Sequence, residues 1–218
     1  MNKRVKFINR VIIITKIHGG AEMKEKSILF IIATFLFTTC WGSVIYVNHA
    51  AAGSATGMTW EDALTDLNVA VELAEPGDQI WVARGTYVPA FRPNGGDEEN
   101  PRAVHFTLKN GVEIYGGFEG NEADLSARNI EDNETILSGE IGDPNDTSDN
   151  CWNVFYHPSD LELDNTAVLD GFTITAGFAD FIYPRDGGGA MLNMYASPVI
   201  RNCTFINNQS TYGRRCGL

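Results

Sequence analysis

Leu169-Asp170-Gly171-Phe172-Thr173-Ile174 superimposes on Ile200-Arg201-Asn202-Cys203-Thr204-Phe205 at an offset of 31 residues. Both copies read apolar, polar, Gly or Asn, apolar, polar, apolar. In a plain strand, side chains two apart share a face. Here three positions separate Leu169 from Phe172, so one residue is inserted between two alternating runs. That residue is Gly171 in the first copy and Asn202 in the second, the two types that best tolerate a left-handed backbone. Each strand is therefore expected to bend at that point and to keep apolar side chains inward on both sides of the bend. A strand that bends around a core and then recurs is one coil of a solenoid. Tyr115-Gly116-Gly117-Phe118 and Leu137-Ser138-Gly139-Glu140-Ile141 are looser echoes, and Glu140 breaks the inward alternation in the second. A β-sandwich with glycine hairpins is the competing architecture, since short strands with turn signals suit it as well.

Around these copies the chain reads as strand and turn from about residue 103 onward. The expected strands are Val104 to Leu108, Val112 to Phe118, Thr135 to Ile141, Val154 to His157, Ala167 to Thr175, Ala190 to Asn193 and Pro198 to Ile206, with no helical period between them. Upstream, Val44 to Val47 and Gln79 to Ala83 alternate as strands, and Gly85-Thr86-Tyr87 is expected to turn the chain. One helix is predicted. Thr59 has the chemistry of an N-cap with Asp62 three residues on, and Trp60, Ala63, Leu64, Leu67, Ala70, Val71 and Ala74 recur at helical spacing up to the Glu75-Pro76-Gly77-Asp78 stop. With 22 glycines in 218 residues, set beside β-branched and aromatic residues, the composition favours turn-rich β structure over a helical bundle.

The first forty residues differ in kind. From Met23, the charged Lys24-Glu25-Lys26 precedes the ten-residue apolar run Ile28 to Phe37, and small residues lead to a cleavage point after Gly42. This is the pattern of a secretory signal peptide, too short for a membrane span of about 20 residues. Residues 1 to 22 then have no role, and Met23 is the expected translation start. The expected organisation is residues 1–22 upstream of the true start, 23–42 signal peptide, 43–100 N-terminal cap and first coil, and 101–218 incomplete coils. After Gly213, Arg214-Arg215-Cys216-Gly217-Leu218 departs from the glycine-rich pattern, reading either as an interrupted solenoid or as an ordinary ragged tail.

The chain has a formal net charge of −12, and beyond residue 42 it holds 9 basic and 26 acidic residues, Lys109 being its one lysine. Such a surface repels phosphate backbones and anionic headgroups, which argues against nucleic-acid or membrane-surface binding. Cations and neutral glycans remain compatible. Cys151, Cys203 and Cys216 specify neither a disulfide framework nor a zinc site, and Cys203 reads as a packing residue.

The segments Ile45-Tyr46-Val47, Gly57 to Trp60, and Ala74 through Trp81 to Tyr87 resemble the N-terminal cap and first coil of secreted bacterial right-handed parallel β-helix proteins, the pectate-lyase-like superfamily. Gly111 to Phe118, Thr135 to Gly139 and Leu169 to Ile174 are similar to its next coils. Gly187-Gly188-Gly189-Ala190 with Asn202 to Phe205 and Asn207-Asn208 resembles the polymorphic outer-membrane-protein type of repeat. The resemblance implies an all-β, right-handed parallel β-helix with a capping α-helix over its first coil, exported to the cell surface or beyond, and read as a monomer. It implies an adhesin-like or glycan-binding scaffold. A polysaccharide lyase, a glycoside hydrolase or a structural spacer without activity are the other roles the superfamily admits.

Two groups of residues carry candidate chemistry. Asp143, Asn145, Asp146 and Asp149 place oxygen donors at the close spacing that Ca2+ favours, though without the Gly and Glu of an EF-hand, and the same loop suits a solvated turn. Asp170, Asp180, Arg185 and Asp186 surround the junction of the two matching coils. Within the resembled superfamily, lyases work through carboxylate-bound calcium and a basic residue, and hydrolases through paired carboxylates, and these four are the residues either chemistry would recruit. Trp81, Trp152 and Tyr115 are open to two readings, sugar platform or packing. His49, His105 and His157 form no ligand spacing.

Overall fold

The computed structural model describes residues 42–93, 100–180 and 187–211. The expected signal peptide at 23–42, up to residue 41, the segment before it, Arg185, Asp186 and the tail beyond 211 lie outside the described residues. In chain order the elements are β1 (Val44–Val47), α1 (Leu67–Leu73), β2 (Gln79–Ala83), β3 (Gly85–Tyr87), β4 (Glu113–Phe118), β5 (Thr135–Ser138), β6 (Phe155–His157), β7 (Val168–Asp170), β8 (Thr173–Thr175), β9 (Phe178–Ala179), β10 (Met191–Asn193), β11 (Val199–Arg201), β12 (Thr204–Ile206) and β13 (Gln209–Ser210).

Every strand pairing is parallel. The first sheet runs β1-β2-β4-β7-β11 and the second β3-β5-β8-β12, with the short pairs β6-β10 and β9-β13 beside them. The fold is therefore all-β and all-parallel. The 31-residue offset in the sequence is the pairing register itself: Leu169 lies opposite Ile200, and Ile174 opposite Phe205. Gly171 and Asn202 both adopt left-handed backbone, with φ of 89° and 48°, at the corner between the two sheets. The β-sandwich alternative is overturned by this topology, since a sandwich built of hairpins is antiparallel.

Two apolar columns fill the interior. Ile45, Ile80, Ile114, Leu169 and Ile200 are successive register partners across the first sheet. Tyr87, Leu137, Ile174 and Phe205 are their counterparts in the second. Ile80, Ile114, Leu137, Leu169 and Ile174 are fully buried, each contributing roughly 1.5–3 kcal/mol relative to exposure. A residue inward in one strand thus rests on a residue inward in the next.

Four local expectations are corrected. Leu137 stacks on Ile174 and Tyr87, so Leu137-Ser138-Gly139 belongs to the second sheet and is not a copy of Leu169-Asp170-Gly171. Gly85-Thr86-Tyr87 is strand β3 rather than a turn. Val104 to Leu108 forms only a single bridge, Phe106 to Phe155. The helix begins at Leu67, not Trp60. Thr59 Oγ1 does accept from Asp62 N–H at 3.1 Å, as an N-cap would. Leu64, however, exchanges backbone bonds with β1, donating to Tyr46 O and accepting from Asn48 N–H. Peptide groups drawn sideways to a strand cannot close helical turns, so α1 starts afresh with Asp66 as N-cap, its side chain accepting from Asn68 N–H. At the other end, the Lys109 ammonium donates to the carbonyls of Glu72 and Ala74, capping the final turn.

Candidate functional site

The outer surfaces of the two long sheets differ. On the first, Tyr46, Trp81, Tyr115 and Asp170 are successive partners facing away from the core. Trp81 stacks on Phe118 with ring centroids 4.8 Å apart, and Trp60 packs on both Tyr46 and Phe118. Trp60 also donates its indole N–H to Glu122 O at 2.9 Å. Trp81, Tyr115 and Trp152 are buried, which resolves the two readings in favour of packing. Burial pushes the Tyr115 hydroxyl up to about 12, helped by its hydrogen bond to Glu113.

Asp170 belongs to this covered face. Its Oδ1 accepts from Arg128 Nη2 and from Asn202 Nδ2, each at 2.9 Å. The same guanidinium donates to Asp170 O and Gly116 O and lies 5.0 Å over the Tyr115 ring. Asp180 is held by Arg102 at 2.8 Å, and Arg102 also donates to Asn150 O and Phe178 O. The structure thus places Asp170 and Asp180 in two separate ion pairs rather than in one cluster. Arg128 and Arg102, which fix them, carry no signal in the sequence beyond being rare cations in an acidic chain.

The acidic loop folds on itself. Asp149 Oδ2 accepts from Asp143 N–H at 2.7 Å, Asp143 Oδ1 from the Asn145 backbone and side chain, and Asp146 Oδ1 from the Ser148 N–H and hydroxyl. The Ser148 hydroxyl and N–H hold the Asp146 carboxyl below its ordinary range. Among the described residues no group of His, Cys, Asp and Glu is gathered closely enough to hold a metal ion. Of the histidines, His157 is wholly buried, with Nδ1 against Asn193 Oδ1 at 2.6 Å and Nε2 accepting from Leu108 N–H at 3.1 Å.

The second sheet has an open outer face. Thr86, Ile136, Thr173 and Thr204 are register partners there, and Ser138, Thr175 and Ile206 form the next outward column. A depression of about 430 Å³ borders Thr173 and Thr204 and is lined by Glu131, Glu134 and Asn202. A second, of about 340 Å³, borders Thr175 and is lined by Glu140, Thr147, Asn207 and Gln209. Because Thr173 and Thr175 are two apart on one strand, both depressions open on the same face. Thr173 donates its hydroxyl to Glu134 Oε1 at 2.9 Å. Neither depression is lined by Lys or Arg. The face is a trough of hydroxyls and amides between carboxylate banks, able to exchange hydrogen bonds with a neutral polyol and hostile to anions. Reading the sequence for acids and aromatics missed it; threonine at successive outward positions was the available signal.

Among the described residues, no helix is long and apolar enough to cross a membrane. No family model, curated protein or solved structure matches the chain.

Proposed function

We propose that the chain is an exported right-handed parallel β-helix of the pectate-lyase-like kind, α1 covering its first coil, and that it acts as a glycan-binding scaffold. The observation that carries the binding role is the outer face of the second sheet. Thr173 and Thr204 offer hydroxyls one interstrand spacing of about 4.8 Å apart, which is of the order of a sugar ring's width, with Thr175 two residues along the same strand and Thr86 two strands away. Carboxylates on both banks and the absence of lining cations favour neutral polysaccharide over uronate or sulfated chains. The surrounding sheet supplies rigidity, so binding costs little ordering of the protein.

The test is retention of the full chain on insoluble neutral polysaccharides, with cellulose, xylan and β-glucan as probes, beside a Thr173→Arg/Thr175→Arg variant. Retention that the variant loses, without new sugar ends, supports binding. New reducing ends on these probes, or unsaturated products on polygalacturonate, would replace the scaffold reading with an enzyme. Neither retention nor product would leave a spacer.

A further inference from the structure

Within the second sheet, β8 is set apart by its outward residues, because both of them, Thr173 and Thr175, are threonines. Their neighbours across the strands are mixed. Thr173 lies between Ile136 and Thr204, and Thr175 between Ser138 and Ile206. Ser138 is buried, whereas Ile206 is 48% exposed. A path across the strands therefore meets a branched apolar side chain in either column. A path that follows β8 meets hydroxyl after hydroxyl.

That second path is open at both corners. Gly171 lines the depression at Thr173, and Ala176 and Gly177 line the one at Thr175, and none of these three carries a side chain long enough to close the way. Thr173 and Thr175 are about 6.6 Å apart, two residues at roughly 3.3 Å each. This exceeds the interstrand spacing, which is already of the order of one sugar ring, so a single ring does not fill both depressions. The second depression also holds an unmet polar group. Asn150, in its wall, is 2% exposed, and its Oδ1 has no hydrogen-bond partner among the described residues. A buried acceptor without a donor favours a ligand that supplies one, and every sugar ring carries hydroxyls that do.

Resting on the glycan-binding reading above, we infer that the ligand is an internal segment of an unbranched neutral polysaccharide, laid along β8 rather than across the strands, with successive sugars in the two depressions. Adjoining subsites open at both corners suit a chain that continues past them. A receptor for a chain end would need a closed wall.

Titration calorimetry of the full chain with cello-, xylo- and mixed-linkage β-gluco-oligosaccharides of one to six residues tests this. In at least one series the expected result is a gain of roughly tenfold or more from the monosaccharide to the tetrasaccharide, with little beyond it. Thr175→Arg, which fills the second depression alone, removes that gain. Ile136→Thr, which extends the hydroxyl row across the strands, leaves every affinity unchanged. Affinity independent of length, an unaltered gain in Thr175→Arg, or tighter binding by Ile136→Thr overturns the inference while the glycan-binding reading stands. Retention on a polymer none of whose oligosaccharides binds has the same meaning. Binding of no polymer and no oligosaccharide overturns both.

Discussion

Arg128 reaches back from the loop after β4 to place Nη2 at 2.9 Å from Asp170 Oδ1, while its Nη1 donates to the carbonyl of the same residue. Both side chains are mostly buried, at 15% and 7% exposure. One guanidinium thus ties the covering loop to β7 through side chain and backbone together.

Removing one partner of such a pair strands the other. Arg128→Ala is expected to cost about 3 kcal/mol of unfolding free energy, because the buried Asp170 carboxyl loses its ion-pair partner. Asp170→Asn should cost less, since an amide oxygen still accepts from Arg128 and Asn202. Urea unfolding of the two single variants and the double variant measures the coupling. Strictly additive losses would show that the pair does not act as a unit.

His157 makes stability depend on acidity. Burial lowers its pKa from 6.5 to about 4, although the Asn193 contact opposes the shift. The folded state binds fewer protons than the unfolded chain between these values, so the contribution is fully present above about pH 6.5. It is lost as pH falls toward 4, by roughly 3 kcal/mol in total. Protonating Nε2 also removes the acceptor of Leu108 N–H. Unfolding free energies across this window should fall toward acid, and His157→Gln should flatten the slope.

The corner residues should respond according to their backbone. Gly171 sits at φ 89°, and an added Cβ would come within 3.2 Å of Gly116 O and 3.1 Å of both Arg128 Nη1 and Ile130 Cδ1. Gly171→Ala is expected to destabilise by about 2 kcal/mol. Asn202→Gly keeps the left-handed turn and loses only the 2.9 Å bond to Asp170, so its cost should be nearer 1 kcal/mol. Thermal melts of the pair give the order, and a more damaging Asn202→Gly would contradict it.

The helix start offers a contrast between two capping residues. Asp66→Ala should cost about 1 kcal/mol, because Asn68 N–H then lacks its acceptor at the head of α1. Thr59→Ala should leave the helical circular-dichroism signal unchanged, since Thr59 braces a turn that Leu64 separates from α1.

What the sequence disclosed and what it withheld follow from distance along the chain. The Gly171 and Asn202 bends were legible because the inserted residue changes the local alternation, and that alternation is the register. The true start of α1 was hidden because it depends on Leu64 meeting Tyr46 and Asn48, residues that only the folded chain brings beside it. The same holds at the candidate site. Asp170 and Asp180 were visible as acids, but their partners Arg128 and Arg102 lie 42 and 78 positions away. The threonine face was concealed by interleaving with Ile174, whose core role dominates the local pattern.

The strand order also bears on how such a chain comes together. Val44 pairs with Gln79, Gln79 with Glu113, Glu113 with Val168 and Val168 with Val199, so each strand of the first sheet docks on the one made just before it. No strand of that sheet waits for a partner beyond the next turn of the chain. Growth from the N-terminal end can keep pace with synthesis, laying down each layer on a template already complete and leaving only the newest edge exposed to wrong partners.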